Sequence, residues 1–253
     1  PDTGAVDLGY HYAGGVSQAY AELYVATNGV DTQDGTSWVN ALRSVGKALA
    51  LARDGTHIHI GGGIYSNGVE QFPLLLDKPG VQLLGTNRSL VFLQATGSSR
   101  NVVTVEGASG DARIEALQMT GGYPVNLDGG GFRIVGSDLA IADCVIISNR
   151  TINNLNWGVG YGGGVYSANA YVAMTGCDLN GNQFVNAFWG YGGGICIVSG
   201  AWSIRDTIVR NNSCSSGYSA PYGGGLYISG GAHVLTNCVI QGNITTYGDG
   251  IHV

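Results

Sequence analysis

Hydrophobic and polar side chains alternate one by one in short segments of the second half of this chain. In each segment two apolar residues flank a residue of another kind. The clearest pairs are Phe132 and Ile134, Ile195 and Ile197, and Leu226 and Ile228. A period of two residues is typical of β-strands with one buried face. These segments therefore predict short strands, each with its apolar side chains directed inward.

A glycine run precedes each of these segments, and the runs repeat. They lie at 129–131, 162–164, 192–194 and 223–225, with a decayed copy at 248–250, so the spacings are 33, 30, 31 and 25 residues. Asparagine recurs twenty residues after the start of each run, and cysteine or threonine recurs fifteen residues after it. The two series are Asn149, Asn182, Asn212 and Asn243, and Cys144, Cys177, Thr207 and Cys238. Self-similarity with a fixed body and a variable tail predicts the coils of a solenoid.

The strands and glycine-rich corners favour an all-β chain wound as a parallel β-helix, in which like residues stack above like. The general rule for parallel crossovers predicts a right-handed coil. The asparagines are then expected to form an internal ladder that satisfies open backbone groups at a corner. We interpret the cysteine and threonine series as small interior filler.

The N-terminal quarter follows a different period. Between residues 37 and 53 the apolar side chains recur at steps of three and four, which predicts an amphipathic α-helix. These side chains are Trp38, Ala41, Leu42, Val45, Ala48, Leu49 and Ala52. Thr36 or Ser37 is the expected N-cap, and Asp54 and Gly55 the expected end. We predict that this helix covers one end of the solenoid.

The chain is accordingly expected to have three parts. Residues 1–20 are predicted to be a linker or the tail of a preceding domain, and residues 21–56 an N-terminal cap. Residues 57–253 are predicted to be β-helix coils, open or truncated at the C-terminal end. We expect the natural protein to continue on both sides, or another subunit to cover the open end.

The amino-acid composition argues against several classes of binding partner. Only 11% of the 253 residues are charged, and the net charge is −6, which argues against a nucleic-acid partner. The only lysines are Lys47 and Lys78, and no apolar stretch is long enough to span a membrane, so this segment is not expected to insert into one. No metal signature or cofactor motif is present, and none is expected to be bound. Of the five cysteines, Cys196 and Cys214 lie off the interior series and could meet.

Acidic residues supply one candidate catalytic set. Asp143 and Asp206 share the offset of fourteen residues from their glycine runs, so their backbones are expected roughly 9–10 Å apart across two coils. That separation is close to that of the carboxylates of an inverting glycosidase. Asp178, Arg205 and Arg210 complete the set. The alternative is a turn column, because Gly176 and Asn237 share the same offset and all these residue types suit turns.

Aromatic residues supply a candidate glycan-binding edge. Flat rings with hydroxyl or indole groups suit sugar rings or a partner protein. The candidates are Tyr166 and Tyr227 on outward positions and Trp157, Phe188, Trp189 and Tyr218 in the tails. The alternative is that these rings only pack long loops against the body. A further tyrosine column directly before the glycine runs is expected to be structural.

Two stretches resemble known families. Residues 24–65, from Tyr24-Val25-Ala26 through Asp34-Gly35-Thr36-Ser37-Trp38 to Gly61-Gly62-Gly63-Ile64-Tyr65, look like the capping start of bacterial extracellular right-handed β-helix proteins of the pectin-lyase-like superfamily. The later units, Gly-Gly-Gly-aliphatic followed by aliphatic-x-x-Asn, resemble the repeats of polymorphic outer-membrane proteins. The resemblance implies a secreted or cell-surface location and a fold that hosts lyases, hydrolases, adhesins and structural proteins.

The sequence therefore leaves three classes of function open. We favour a non-catalytic module of a secreted or surface-attached bacterial protein, acting as adhesin, stalk or glycan-binding segment, with a polysaccharide or a cell-surface glycan as partner. One alternative is a carbohydrate-active enzyme, a polysaccharide lyase or glycoside hydrolase, that uses the acidic and arginine set. Another is a structural filament, in which molecules self-associate by stacking through the open end.

Overall fold

The computed structural model describes residues 21–154, 158–216 and 220–253, without the side chains of residues 186 and 187. Within these ranges the chain forms 27 β-strands and one α-helix, and every strand pairing is parallel. The predicted fold class is confirmed: the protein is a right-handed parallel β-helix with a short α-helix near its N-terminus. The linker predicted at residues 1–20 lies outside the described residues.

Three long sheets form the walls of the solenoid, and the chain passes from the first to the second to the third in each coil. The first sheet contains β1 (Glu22–Val25), β2 (His57–Ile60), β5 (Gln82–Gly85), β8 (Arg113–Glu115), β11 (Asp138–Ala142), β16 (Ala170–Thr175), β21 (Gly200–Arg205) and β25 (Ala232–Thr236). The second contains β3 (Gly63–Ser66), β6 (Val91–Gln94), β9 (Gln118–Thr120), β12 (Val145–Ile147), β17 (Asp178–Asn180), β22 (Ile208–Arg210) and β26 (Val239–Gln241). The third contains β4 (Leu74–Leu76), β7 (Val103–Glu106), β10 (Phe132–Val135), β15 (Val165–Ala168), β20 (Ile195–Ile197), β24 (Leu226–Ile228) and β27 (Ile251–His252).

Two small sheets pair the tails of the central coils. One contains β13 (Arg150–Ile152), β18 (Gln183–Ala187) and β23 (Ser213–Ser216), and the other contains β14 (Val159–Tyr161) and β19 (Trp189–Tyr191). Phe184 of β18 and Cys214 of β23 form a separate buried cluster that packs against Gly190 of β19. The tails therefore pack on the body as ordered layers.

The core consists of vertical columns of apolar side chains. Strand register places one residue of each coil directly above its equivalent in the next, so the column gains burial with each added coil. In the first sheet the column is Leu23, Ile58, Leu83, Ile114, Ile141, Met174, Ile204 and Leu235. In the third sheet it is Leu74, Val103, Phe132, Val165, Ile195, Leu226 and Ile251.

Four stacked asparagines line one interior corner. Each of the first three, Asn149, Asn182 and Asn212, donates from its backbone N and its side-chain Nδ2 to Oδ1 of the asparagine in the next coil, at 2.9–3.1 Å. Asn243 accepts at the end of the ladder and donates to the carbonyl of Val209. All four are buried, so the corner has few open polar groups.

The cysteine and threonine series forms a second column at the corner between the first and second sheets. Each side chain donates to the backbone carbonyl two residues before it, as in Cys144 to Ala142 at 3.2 Å and Thr207 to Arg205 at 2.8 Å. Cys177 and Cys238 make the same bond at 3.4 Å. The column therefore fills the interior and also closes a turn. All five cysteines of the described chain are free thiols, Cys196 and Cys214 included.

The predicted helix over residues 37–53 is wrong at its start. The helix α1 spans Val45–Leu51, and its N-cap is Ser44, whose hydroxyl accepts from Lys47 N. Leu42 instead bridges β1, because its N donates to Tyr24 O and its carbonyl accepts from Ala26 N. Residues 41 and 42 are buried as their apolar character requires, but as an added bridge on the first sheet, and Trp38 stays half-exposed.

Candidate functional site

The outer face of the first sheet carries a column of small side chains. Ala140 of β11, Ala173 of β16 and Ser203 of β21 are aligned in strand register. Each alternates with buried residues on either side, so its own side chain faces outward. Because these side chains are short, the surface is recessed along the stack.

This recess is an open groove of about 780 Å³. Its volume lies within the usual range for ligand sites, which is roughly 300–1,000 Å³. It runs over the strands from β5 to β25. The residues that line it are Gln82, Gly110, Asp111, Ala112, Arg113, Leu139, Ala140, Tyr171, Val172, Ala173, Ala201, Trp202, Ser203, Ala232 and Val234.

Polar groups gather at the N-terminal end of the groove, whereas its remaining surface is small or apolar. Gln82 donates from Nε2 to the carbonyl of Asp111 at 3.1 Å, and Arg113 pairs with Glu115 at 2.5 Å. Tyr171 contributes an aromatic ring that is 65% exposed. A recessed floor, an exposed ring and a few hydrogen-bonding groups together fit a ligand with an apolar face and many hydroxyls.

The buried base of the groove is fixed by hydrogen bonds. Trp202 is 2% exposed and donates from its indole N to Ser167 Oγ at 3.0 Å. Its backbone N donates to Nδ1 of His233, whose Nε2 lies 2.7 Å from the carbonyl of Gly230. These contacts fix β21 and β25, the strands that carry the groove residues Ser203 and Val234.

The predicted catalytic aspartates lie beside the groove and do not line it. Asp143 and Asp206 occupy the turn that follows the first sheet, with φ of 48° and 50°. Gly176 and Asn237 take the same left-handed conformation in their coils, so the whole offset is a turn column. Arg88 pairs with Asp143 at 2.9 Å, and Asn237 donates to Asp206 at 2.5 Å.

The remaining members of the predicted catalytic set divide into two places. Arg210 binds Asp178 through two hydrogen bonds, Nε to Oδ1 at 3.2 Å and Nη2 to Oδ2 at 2.8 Å, on the outer face of the second sheet. This pairing raises the pKa of Arg210. Arg205 is exposed on the first sheet, on the same face as Ser203 and two residues further along β21. The structure thus joins Asp178 with Arg210, but joins Asp143 with Arg88 instead of with either predicted arginine.

The predicted glycan-binding tyrosines belong to a stacked aromatic surface at the third sheet. Tyr161, Tyr191 and Tyr222 stack at centroid distances of 5.4 and 5.7 Å, and Tyr247 continues the column at 5.6 Å. A second column packs against it: Tyr166 lies 5.6 Å from Tyr161, and Tyr227 lies 4.5 Å from Tyr191. Tyr166 and Tyr227 are tilted against the first column, at 35° and 50°, so each ring packs on a neighbouring tyrosine.

The tail aromatics are more open. Trp189 is 37% exposed and meets Phe188 edge to face at 5.8 Å. Trp157 and Tyr218, the other predicted glycan-binding residues, lie outside the described residues. Cys196, which lies between Tyr166 and Tyr227 in strand register, is fully buried, and that burial raises the pKa of its thiol.

Asp128 stands where the tyrosine column begins. It holds the position before its glycine run that tyrosines hold in later coils, and its Oδ1 accepts from Tyr161 N at 2.9 Å. Burial raises the pKa of Asp128 to about 6, although this hydrogen bond and the nearby Arg133 oppose the shift. Burial also raises the pKa of Tyr161 to about 12, and that of Tyr166. Asp128 is half-buried, so its carboxyl loses part of its solvation and its charged form is disfavoured.

The described residues contain no group of three or more histidine, cysteine, aspartate or glutamate side chains arranged to hold a metal ion. No helix among them is long and apolar enough to cross a membrane.

Sequence reasoning missed the groove, although the sequence carries its signal. Eleven residues after the start of each glycine run come Ala140, Ala173, Ser203 and Val234. This outward offset holds three small residues in succession. Small side chains by themselves indicate no chemistry. This offset therefore did not predict a site, whereas the aspartate and aromatic offsets did.

Comparison with known proteins gives a family and a set of solved structures. A family profile described as "Protein of unknown function (DUF1565)" matches residues 27–243. No curated protein matches the chain. Pectin methylesterase PemA from Erwinia chrysanthemi is 12% identical, with 91% of this chain and 70% of that one covered and a TM-score of 0.47. A pectin methylesterase in complex with hexasaccharide VII is 13% identical (87% and 67% covered, TM-score 0.47), and pectin methylesterase from carrot is 15% identical (91% and 87% covered, TM-score 0.41).

Proposed function

The chain belongs to the DUF1565 family, and we propose that this member is a non-catalytic glycan-binding β-helix module of a secreted or cell-surface protein. The observation that carries the proposal is the groove on the outer face of the first sheet. A sugar chain lying along the coils would place its apolar faces on Ala140, Ala173 and the ring of Tyr171. Its hydroxyls would meet Gln82 and Arg113 at the polar end.

The lining of the groove favours binding over hydrolysis. Among the described residues that line it, Asp111 is the one carboxylate. Glycoside hydrolysis usually needs two carboxyl groups on opposite sides of the bond that breaks. The groove offers recognition surface, but not that pair.

A carbohydrate-active enzyme is the second candidate, and one observation favours it. Asp143 and Asp206 are both exposed in the same turn column, two coils apart, which corresponds to roughly 9–10 Å at the usual strand spacing. Arg205 lies one residue before Asp206 and is also exposed. A substrate crossing the coils at this corner would contact all three.

Blocking the groove tests the proposal. Ala173→Trp adds an indole to the exposed floor without entering the core, so it should weaken binding of any glycan identified on a glycan array by about tenfold or more. Val239→Trp is the matched control, because it adds the same ring to an exposed strand position of the second sheet. It should bind the glycan as the wild type does. Calorimetric titration measures both affinities.

Three outcomes would overturn the proposal. Equal affinity of the Ala173→Trp variant and the wild type would remove the groove as the site. Loss of binding on Trp189→Ala, with the groove variant unaffected, would move the site to the tail aromatics. Cleavage of the bound glycan by the wild type, abolished by Asp206→Ala, would replace the module by the enzyme.

A further inference from the structure

Arg150 is an arginine whose guanidinium is not matched by a carboxylate. It is the first residue of β13, and its backbone N donates to Gly122 O at 2.8 Å. Arg88, Arg113, Arg133 and Arg210 each pair with an aspartate or glutamate. Among the described residues, no such ion pair involves Arg150. Arg43, Arg53, Arg100 and Arg205 also lack such a pair, but they are exposed to solvent, whereas Arg150 is half-buried.

The side chain of Arg150 packs against an aromatic ring, and one of its N–H donors has no acceptor among the described residues. Its Cζ lies over the Tyr123 ring, 5.7 Å from the ring centroid, which is within cation–π range. Its Nε is buried and has no hydrogen-bond partner among the described residues. Buried polar groups are nearly always bonded, so an orphaned donor in a native fold calls for an explanation.

Arg150 also lines a cavity of about 330 Å³. Hydroxyl groups and glycines line it: Thr96, Gly97, Ser99, Thr120, Gly121, Gly122 and Ser148, together with Tyr123 and Arg150. Among the described lining residues there is no carboxylate, so nothing in the wall competes for the guanidinium. The wall supplies one fixed positive group and four aliphatic hydroxyls.

We propose that this cavity is an oxyanion-binding site in which Arg150 holds a phosphate, sulfate or carboxylate group. The guanidinium presents parallel N–H donors at its two terminal nitrogens that match two oxygens of such a group. Thr96, Ser99, Thr120 and Ser148 can donate to the remaining oxygens or to hydroxyls of the molecule that bears the anion. The volume admits a group of about the size of one sugar residue.

The site is separate from the glycan groove. It lies at the corner that follows the second sheet, where β9 ends at Thr120 and β13 begins at Arg150. The groove lies on the outer face of the first sheet. The proposal therefore does not depend on the glycan module, and each can fail without the other.

Thermal stability with added anions tests the site. Sodium phosphate, sulfate and acetate are compared with sodium chloride at equal ionic strength, since a ligand that binds only the folded state raises the melting temperature. At least one of the three oxyanions should stabilise the wild type beyond chloride. The Arg150→Met variant should lose that gain, with affinity reduced about tenfold or more by titration. The exposed Arg53→Met is the matched control and should respond as the wild type does.

Further arms identify the ligand group. A response to acetate alone assigns a carboxylate, and responses to phosphate and sulfate assign a tetrahedral group. Glucose 6-phosphate binding more tightly than inorganic phosphate assigns a sugar carrier, and equal binding assigns the free anion. Arg150→Lys keeps the charge, and should retain a weakened response if the Met variant does not fold. No stabilisation beyond chloride by any oxyanion, or an equal response in Arg150→Met, overturns the site.

Discussion

Asparagine and glycine at the repeated corner depend on each other. Asn182 Nδ2 donates to Ile146 O at 2.8 Å and to Asn212 Oδ1 at 2.9 Å, while its own Oδ1 accepts twice from Asn149. A Cβ built on Gly164 would lie 2.9 Å from Asn182 Cγ and 2.7 Å from the carbonyl of Gly194. No side chain fits there. Glycine in these runs thus leaves the space that the buried asparagine side chains occupy.

Removing one amide should therefore cost far more than removing a surface amide. We expect Asn182→Ala to lower the free energy of unfolding by about 2–4 kcal/mol, because Asn149 N and three further groups each lose a buried partner. Asn180→Ala is the matched control, since Asn180 lies in the same coil on the outer face and its side chain bonds only exposed Asn211. It should change stability by about 0.5 kcal/mol or less. Urea unfolding followed by circular dichroism measures both, and equal losses would contradict the ladder.

Asp128 is the residue at which pH should act on stability. Its pKa in the folded protein is about 6, against an ordinary value of 3.8, so burial penalises its charged form. The penalty is absent below about pH 4, appears as pH rises, and is complete above about pH 6–7. A difference of about 2 units corresponds to at most about 3 kcal/mol.

Asp128→Asn should relieve this penalty, because the amide oxygen can still accept from Tyr161 N. The variant's advantage in free energy of unfolding over the wild type should grow by roughly 1–3 kcal/mol between about pH 4 and about pH 7.5. Denaturant titrations of both proteins across that range provide the measurement. An advantage that stays constant, or that shrinks as pH rises, would show that the carboxyl is not held in its protonated form by burial.

At the scale of elements, strands were predictable and the helix start was not. The strands repeat an offset in every coil, so neighbouring coils support the same assignment. The apolar period over residues 37–53 is equally regular, but backbone hydrogen bonds join Leu42 to β1 and the carbonyl of Ala41 to Val30 N. Ser44 and Glu70, which accepts from Val45 N and Gly46 N, then fix the first turn of α1. Tertiary pairing of this kind is invisible to a periodicity.

In the candidate sites, the positions of residues within a column were predictable from the sequence, but the contacts between outward side chains were not. The sequence placed Asp143 and Asp206 in one column, which the structure reproduces as a turn. It did not place Arg88 beside Asp143, since 55 residues and two coils of variable length separate them. Arg150 escaped for a similar reason: its ring partner Tyr123 and its hydroxyl neighbours come from three different coils. Contacts between outward side chains depend on loop lengths that no repeat fixes.

At the scale of the whole molecule, parallel stacking gives each face of the solenoid its own chemistry. The first sheet offers a recessed groove of small residues, and the corner after the second sheet offers a cationic pocket. The third sheet offers stacked tyrosines. Residues at the same position of successive coils form a column on one face. A change of residue type at that position in every repeat therefore alters the whole column. A ligand that lies along the axis would contact equivalent residues of successive coils.

The most direct measurement is an NMR titration with the glycan that the array selects. A glycan bound in the groove should shift the backbone amides most at Ala140, Ala173 and Ser203 on the outer face of the first sheet, with Tyr171 affected beside them. The largest shifts at the Asp143 and Asp206 corner, or at Tyr166, Tyr227 and Trp189, would contradict binding in the groove.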